Sequence, residues 1–190
     1  RDPIDLRTAI CLLRWRPEDE IPNAENLRTV IDDVNSYYDE VLFGKFNISI
    51  SNIVISDVWD TENNGFPASQ YEEIVMAVEM CDPSIDFANI DMVIVYPSLM
   101  ERSFGPKPMI ETEEGSFTKP MPHIRLNEFD QGTVTHEIGH SALGLGHANR
   151  IDCGEDSFRS DYVNCNVVEY GNIFDVMGLS LRGHLGAWYK

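Results

Sequence analysis

His136, Glu137 and His140 stand in the run His-Glu-Ile-Gly-His, and Gly144 and His147 follow within seven residues of the second histidine. Two histidines four apart on a helix share a face, about 6 Å apart along the axis, so their imidazoles can grip one metal ion together. Glu137 places a carboxylate where it can take a proton from a metal-bound water. Gly144 can end the helix, because glycine enters the left-handed conformation without a Cβ clash, and the chain can then turn back to deliver His147. Three protein ligands leave the fourth position of a tetrahedral Zn2+ open for water, which marks a catalytic site rather than a structural one. The competing explanation is a set of ordinary core histidines, each needing its own buried hydrogen-bond partner. Only five histidines occur in the chain and three fall within twelve residues. Apolar Ile138, Ala142 and Leu143 surround them, as a buried active-site helix requires. The clustering predicts a metal site and a metallohydrolase.

The motif, followed by Asp175-Val176-Met177-Gly178 thirty residues after His147, resembles the zinc-binding and Met-turn pattern of the metzincin endopeptidases. The segment from Glu169-Tyr170-Gly171 to Gly178, the later Gly183-His184-Leu185 and the early Tyr37-Tyr38 and Phe43-Gly44-Lys45-Phe46 are similar to the gametolysin-like members of that group. The resemblance implies that His136, His140 and His147 bind zinc, that Glu137 is the general base, and that Met177 forms an apolar floor under the metal. It implies a mixed twisted sheet backed by helices, with the strand before the zinc helix forming the upper rim of the substrate cleft. His123, Ile124, Arg125, Leu126 and Asn127 would line that cleft. The implied activity is hydrolysis of internal peptide bonds of extracellular proteins, with metal-bound water as nucleophile. A non-proteolytic zinc-binding module and a zinc aminopeptidase are the alternatives; the intact Glu137 argues against the first, and a long rim strand and an absent amine-binding motif against the second.

The pattern departs from the family in two places. Glycine and the third histidine come eight and eleven residues after His136 instead of seven and ten, so one residue is extra within Ser141-Ala142-Leu143. An added helical residue rotates every later residue by about 100° and lifts it by about 1.5 Å. A π-bulge or a reshaped turn at Leu145-Gly146 is therefore predicted to restore His147, with Asp152 the substitute ligand if neither does. Leu179 follows the Met-turn where some metzincins place a metal-reaching tyrosine, so that role has no counterpart here.

The elements that must position these groups are legible as periodicities. Residues 8–15 read as a buried strand. Leu27, Val30, Ile31, Val34, Tyr38 and Val41 repeat at helical spacing and Gly44 supplies a stop. Phe46, Ile48 and Ile50 alternate as in a strand. Ser69 and Glu72 form a possible capping box for a second helix, whose Tyr71, Ile74, Val75 and Val78 share a face and are expected in the core. Residues 91–96 read as a central strand, and a short strand near His123–Leu126 precedes a zinc helix beginning near Asp130–Thr133. The order β-α-β-α-β-β-α predicts one α/β (α+β) catalytic domain over residues 1–190. Residues 101–122, with Pro106, Pro108, Pro120 and Pro122, read as a long structureless loop shaping access to the cleft.

Fourteen basic against 32 acidic residues give a net charge of −18, which disfavours nucleic acid and anionic membranes. Calcium is possible at Asp82, Asp86 and Asp91, but these match no calcium-loop pattern, and a solvated acidic surface is the simpler explanation. No apolar run reaches the eighteen or more residues a membrane span needs. The N-terminus lacks a signal-peptide pattern, and the chain ends at Ala187-Trp188-Tyr189-Lys190 where metzincins usually place a final helix. Either the chain is intracellular or it is a mature or trimmed form whose leader is missing, and a propeptide or further domains are possible outside it. Of the four cysteines, Cys153 and Cys165 bracket the loop between the third histidine and the Met-turn, where the gametolysin-like resemblance also suggests cysteines, and a bridge between them is predicted. Cys11 and Cys81 either pair or leave Cys11 as a small buried hydrophobe. Disulfides would favour secretion.

Overall fold

Eleven residues, Ile4–Arg14, form the central strand β1, and its side chains enter two different cores. Successive strand side chains point to opposite faces, so Ile10 and Leu12 go one way while Ala9, Cys11 and Leu13 go the other. The structure is a computed structural model and describes residues 3–153, 165–178 and 183–185. Leu179 and residues 187–190, on which two of the sequence readings fall, lie outside the described residues.

Helix α1 (Ala24–Val41) follows, with the Asn23 side chain accepting from the Glu25 N–H at its start. Its predicted stripe is buried at Leu27, Ile31, Val34, Tyr38 and Val41. Phe43 and Gly44, both with positive φ, turn the chain into β2 (Phe46–Val58), which pairs parallel to β1. A one-turn helix α2 (Thr61–Asn64) leads to α3 (Gln70–Cys81). Ser69 caps α3 by accepting from the Glu72 N–H, and the Glu72 carboxylate accepts from the Ala68 N–H. Strands β3 (Met92–Ser98) and β6 (His123–Arg125) complete a sheet of order β2-β1-β3-β6.

All four strands run parallel. The mixed sheet expected from the sequence is thus corrected: the antiparallel element is a segment of the supposed loop. The Phe104 N–H donates to the His123 carbonyl and receives the His123 N–H in return, at 3.0 and 2.8 Å. The Met121 N–H donates to Pro106 and the Lys119 N–H to Pro108. The same register continues into the hairpin β4 (Met109–Thr112) and β5 (Gly115–Thr118), where Met109 faces Thr118. Residues 104–123 are therefore one antiparallel ribbon, not a structureless loop. Proline normally demotes a strand because it lacks a donor. Here every proline serves as an acceptor, since Pro120 and Pro122 take the N–H groups of Val93 and Val95 on β3.

Helices α1 and α4 (Gln131–Ser141) pack with Met92, Ile94 and Tyr96 on one face of the sheet, and α3 packs with Val93 and Val95 on the other. Two disulfides cross-link the fold, one of them within the core. Cys153–Cys165 forms as predicted, and Cys11–Cys81 ties β1 to α3. Short strands β7 (Arg150–Asp152) and β8 (Asn166–Val168) pair antiparallel. No helix among the described residues is long and apolar enough to cross a membrane.

One expectation about the core fails. Ile74 and Val78 are buried, but Tyr71 and Val75, on the same stripe of α3, are 71% and 47% exposed. The stripe is wider than the strip of sheet it covers. Asp82, Asp86 and Asp91 do not converge: they engage the Glu113 N–H, Asn89 and Arg7 respectively.

Candidate metal centre

The helix that carries the first two histidines is fixed at its start and near its middle. Asp130 caps α4, its carboxylate accepting from the N–H groups of Gly132 and Thr133, and the Tyr38 hydroxyl donates to the Thr135 carbonyl at 2.8 Å from α1.

The extra residue after His140 is absorbed where the helix ends. The Ile138 carbonyl accepts from Ala142 at 2.9 Å and from Leu143 at 3.4 Å, the second being a π-type bond. The Leu145 N–H then closes on Gly139, six residues back, one more than in a Schellman cap. Gly144 takes the left-handed conformation this requires, with φ of 68°. A widened final turn and a reshaped exit thus act together. The outcome is a cluster in which His136, His140 and His147 offer ligand atoms within 4.8 Å of one another. Among the described residues it is the group able to hold a metal ion. Asp152, the possible substitute, lies on β7 beside Arg150 and is not part of it.

Each imidazole has its Nδ1 engaged. His136 Nδ1 meets the Val176 carbonyl at 2.7 Å, His140 Nδ1 the Leu145 carbonyl at 2.7 Å, and His147 Nδ1 the Glu169 carboxylate at 2.9 Å. A carbonyl oxygen can only accept, so Nδ1 of His136 and of His140 must carry the proton. Their Nε2 atoms then present lone pairs, and these face each other at 3.0 Å. Two opposed lone pairs at hydrogen-bond distance repel unless a cation lies between them. That spacing is close to the roughly 3.3 Å between ligand nitrogens on a tetrahedral ion with bonds of about 2.05 Å. Burial, the largest influence, holds His136 and His140 below the ordinary imidazole value. The neutral form favoured in this way is the form that ligates metal. The residues present therefore fit a metal ion, held through Nε2 with outer partners that fix each ring.

Met177 is fully buried, and its Sδ would lie only 2.6 Å from a Cβ placed on Gly139. Glycine at 139 is thus what admits the methionine beneath the helix turn that carries both histidines. The turn that carries Met177 is itself braced. The Met177 N–H donates to the Asp175 carboxylate, the Met177 carbonyl accepts from Ala148, and a Cβ on Gly178 would fall 1.9 Å from the Asn172 carbonyl oxygen.

Glu137 is 6% exposed, and burial, with the Glu128 carboxylate adding, pushes it up to about 8. The ribbon passes directly over it, for a Cβ on Gly105 would lie 2.2 Å from the Glu137 carbonyl oxygen and 2.9 Å from His140 Cβ.

The residues expected in the cleft divide. His123 and Ile124 are fully buried, so their side chains belong to the core and not to an open cleft. His123 Nδ1 pairs with the equally buried Glu73 at 2.9 Å, its ring stacks on Phe104, and Glu73 also accepts the Leu99 N–H. Sequence alone offered no sign that α3 would send a carboxylate beneath β6. Arg125, Leu126 and Asn127 are exposed; Arg125 pairs with Glu128, and its N–H is taken by the Ser103 hydroxyl.

Glu169 and Tyr170 were not anticipated as site residues. The hairpin of β7 and β8 returns the chain so that Glu169 holds His147, and the Tyr170 ring lies 3.7 Å from the His147 ring. Tyr170 adopts φ of 57° with its N–H on the Asn149 side chain. Burial, then the Glu169 and Glu137 carboxylates, raise its hydroxyl above the ordinary tyrosine value. His184 lies apart and pairs with Glu40. No protein-family model matches the chain, and no curated protein matches it either.

Proposed function

We propose that the chain is a zinc-dependent endopeptidase of metzincin type. The observation that carries the reading is the set of three imidazoles whose Nδ1 atoms are each tied to an oxygen, leaving Nε2 atoms turned toward one point. Three nitrogen ligands with the remaining position left to solvent are a zinc donor set. When bound, zinc supplies Lewis-acid polarisation of the scissile carbonyl and acidification of water. Glu137, one residue from the first ligand, accepts the proton of the attacking water and returns it to the leaving amine. A cation in the cluster favours the ionised, basic form of this carboxylate against the burial that raises it. His136, His140 and His147 hold the ion, Val176, Leu145 and Glu169 orient them, and Met177 fills the space beneath.

The ribbon edge is the natural place for substrate main chain. The main-chain groups of His123 are already taken by Phe104. In an antiparallel pair the groups of alternate residues point to the opposite edge, so those of Gly105 and Lys107 face outward beside Glu137. A peptide paired there would pass over Glu137 in extended form. Two disulfides are compatible with an extracellular setting, where protein substrates of this kind are met.

The test is cleavage of end-blocked peptides by zinc-loaded protein, with Glu137→Ala as control. Internal cleavage abolished by chelator and by Glu137→Ala supports the endopeptidase. One zinc bound per chain without cleavage of any peptide in a broad panel would replace it by a zinc-binding module. Cleavage only of peptides with a free N-terminus would replace it by an aminopeptidase.

A further inference from the structure

The stripe of α3 that fails to reach the core borders a second concavity. Tyr71 and Val75 on the helix and Met109 on β4, itself 73% exposed, are its large exposed apolar residues. They flank a cavity of about 400 Å³ whose floor is Ile74, Val78 and Ile110. The cavity belongs to the core on the α3 face of the sheet, whereas Val134, Ile138 and Met177 of the metal centre belong to the core on the other.

Three features define what would fill it. First, β4 presents an edge with which no strand among the described residues pairs. The ribbon bonds fall at residues 104, 106 and 108, so in the same register the main-chain groups of Met109 and Glu111 point away from β5. Three consecutive strand residues, 109 to 111, line the cavity, as happens where a cavity meets a strand edge. Second, the polar lining is acidic: Glu79, Asp82 and Glu111, with no basic residue among the lining groups. Third, Asp82 holds the hairpin tip by accepting the Glu113 N–H at 2.9 Å with one carboxylate oxygen, while its other oxygen is buried with no partner among the described residues. A buried carboxylate oxygen without a donor is costly, and an ammonium or guanidinium supplies donors and charge together.

We infer that this groove binds an extended segment of another protein, carrying lysine or arginine between apolar residues, added as a strand to the edge of β4. Main-chain bonds to Met109 and Glu111 give affinity, the apolar floor takes alternate side chains, and the carboxylates select the basic residue. The site lies away from the metal centre and holds its ligand without turnover.

Fluorescence anisotropy tests this with end-blocked, fluorescein-labelled heptapeptides and the Glu137→Gln protein, which spares the probe from hydrolysis. The first probe alternates valine and lysine, and the second replaces each lysine by glutamate. The lysine peptide is expected to bind saturably, and the glutamate peptide at least about tenfold more weakly. N-methylation of one alternate set of amides should abolish binding while methylation of the other set is tolerated, because only one set faces the strand. Val75→Glu and the pair Glu79→Arg/Glu111→Arg alter exposed positions and should each weaken binding by about tenfold or more at unchanged Tm. Undiminished binding to these variants, equal tolerance of both methylation patterns, or no binding at all would overturn the inference. Dimerisation of the chain lost in Val75→Glu, without peptide binding, would overturn it in favour of a second copy as the occupant.

Discussion

Gly105→Ala is the substitution that most directly probes how the ribbon and helix α4 fit together. The added Cβ would sit 2.2 Å from the Glu137 carbonyl oxygen, about 1.2 Å inside the 3.4 Å at which ordinary contact begins, and 2.9 Å from His140 Cβ. The obstacle is helix backbone, which is held by the Asp130 cap and the Tyr38 hydroxyl and cannot swing aside as a side chain would. The ribbon must move instead, although Phe104 is bonded twice to His123. Overpacking of this kind costs typically about 1–3 kcal/mol. The smaller entropy of an unfolded alanine returns about 0.4–1 kcal/mol. At the midpoints of these ranges a net loss of about 1.3 kcal/mol results, which for a domain of this size lowers Tm by about 3–5 °C. The three ligands are untouched, so zinc stoichiometry should hold. On the endopeptidase reading, kcat/KM should fall by about tenfold or more, since a displacement near 1 Å can cost up to about a hundredfold. Gly146→Ala is the matched control, because a Cβ there meets nothing within 4 Å, and it should change stability by less than about 0.5 kcal/mol. Calorimetry, zinc titration and peptide hydrolysis would be compared for the two variants. Equal Tm and equal activity in both would refute the close approach of ribbon and helix, and with it the substrate edge placed beside Glu137.

Other consequences can be checked independently. His147→Ala should lower zinc affinity far more than Glu169→Ala, for which a loss of about 10–100-fold is expected from the outer position of the carboxylate; competition with a chromophoric chelator reads both. Glu73→Ala strips a buried histidine and the Leu99 N–H of their partner at once and should cost about 3–5 kcal/mol in urea unfolding. Burial holds the His123 imidazole below its ordinary value, so the unfolded chain takes up a proton first as pH falls. Stability should therefore decline as pH drops through about 6.5, and His123→Gln should flatten that slope in zinc-loaded protein. Cys11→Ala/Cys81→Ala opens a cross-link spanning 70 residues and should cost about 4 kcal/mol on the loop-entropy estimate, measured as a shift of the unfolding midpoint under otherwise identical conditions.

Short-range periodicity determines the parts of the molecule that were legible in the sequence. The α1 stripe from Leu27 to Val41, the Ser69 cap, the start of α4 near Asp130 and the central strands follow from spacing and turn chemistry, and all are found. His136 and His140 were legible for the same reason, since they share a helix face by geometry alone, and His147 through the glycine that ends the helix before it. The hidden parts depend on partners far along the chain. Glu73 reads as an ordinary helix residue until β6, fifty positions later, places His123 beside it. Periodicity also misleads at Tyr71 and Val75, which are exposed. Amphipathic spacing says which side chains share a face and not how much of that face a neighbour covers.

The ribbon shows most clearly why local signals mislead. Four prolines within residues 104–123 argue against a strand when each is judged by the donor it lacks. Pairing asks for an acceptor at those positions, and each proline retains its carbonyl. Pro106 and Pro108 accept from Met121 and Lys119 across the ribbon, while Pro120 and Pro122 accept from Val93 and Val95 across the sheet. The prolines also remove N–H groups that would otherwise need partners of their own. They leave an edge whose outward main-chain groups belong to alternate residues: Gly105 beside Glu137, then Lys107, then Met109 and Glu111 next to the α3 groove. One ribbon in one register thus offers the same outer edge to both sites, and a single protein ligand long enough to follow it could engage the remote groove and the metal centre together. Covalently joining the groove-binding peptide to a cleavable sequence should then lower KM relative to the unjoined sequence, and Val75→Glu should remove the gain. A joined peptide hydrolysed no better than the unjoined one would show that the two sites act separately.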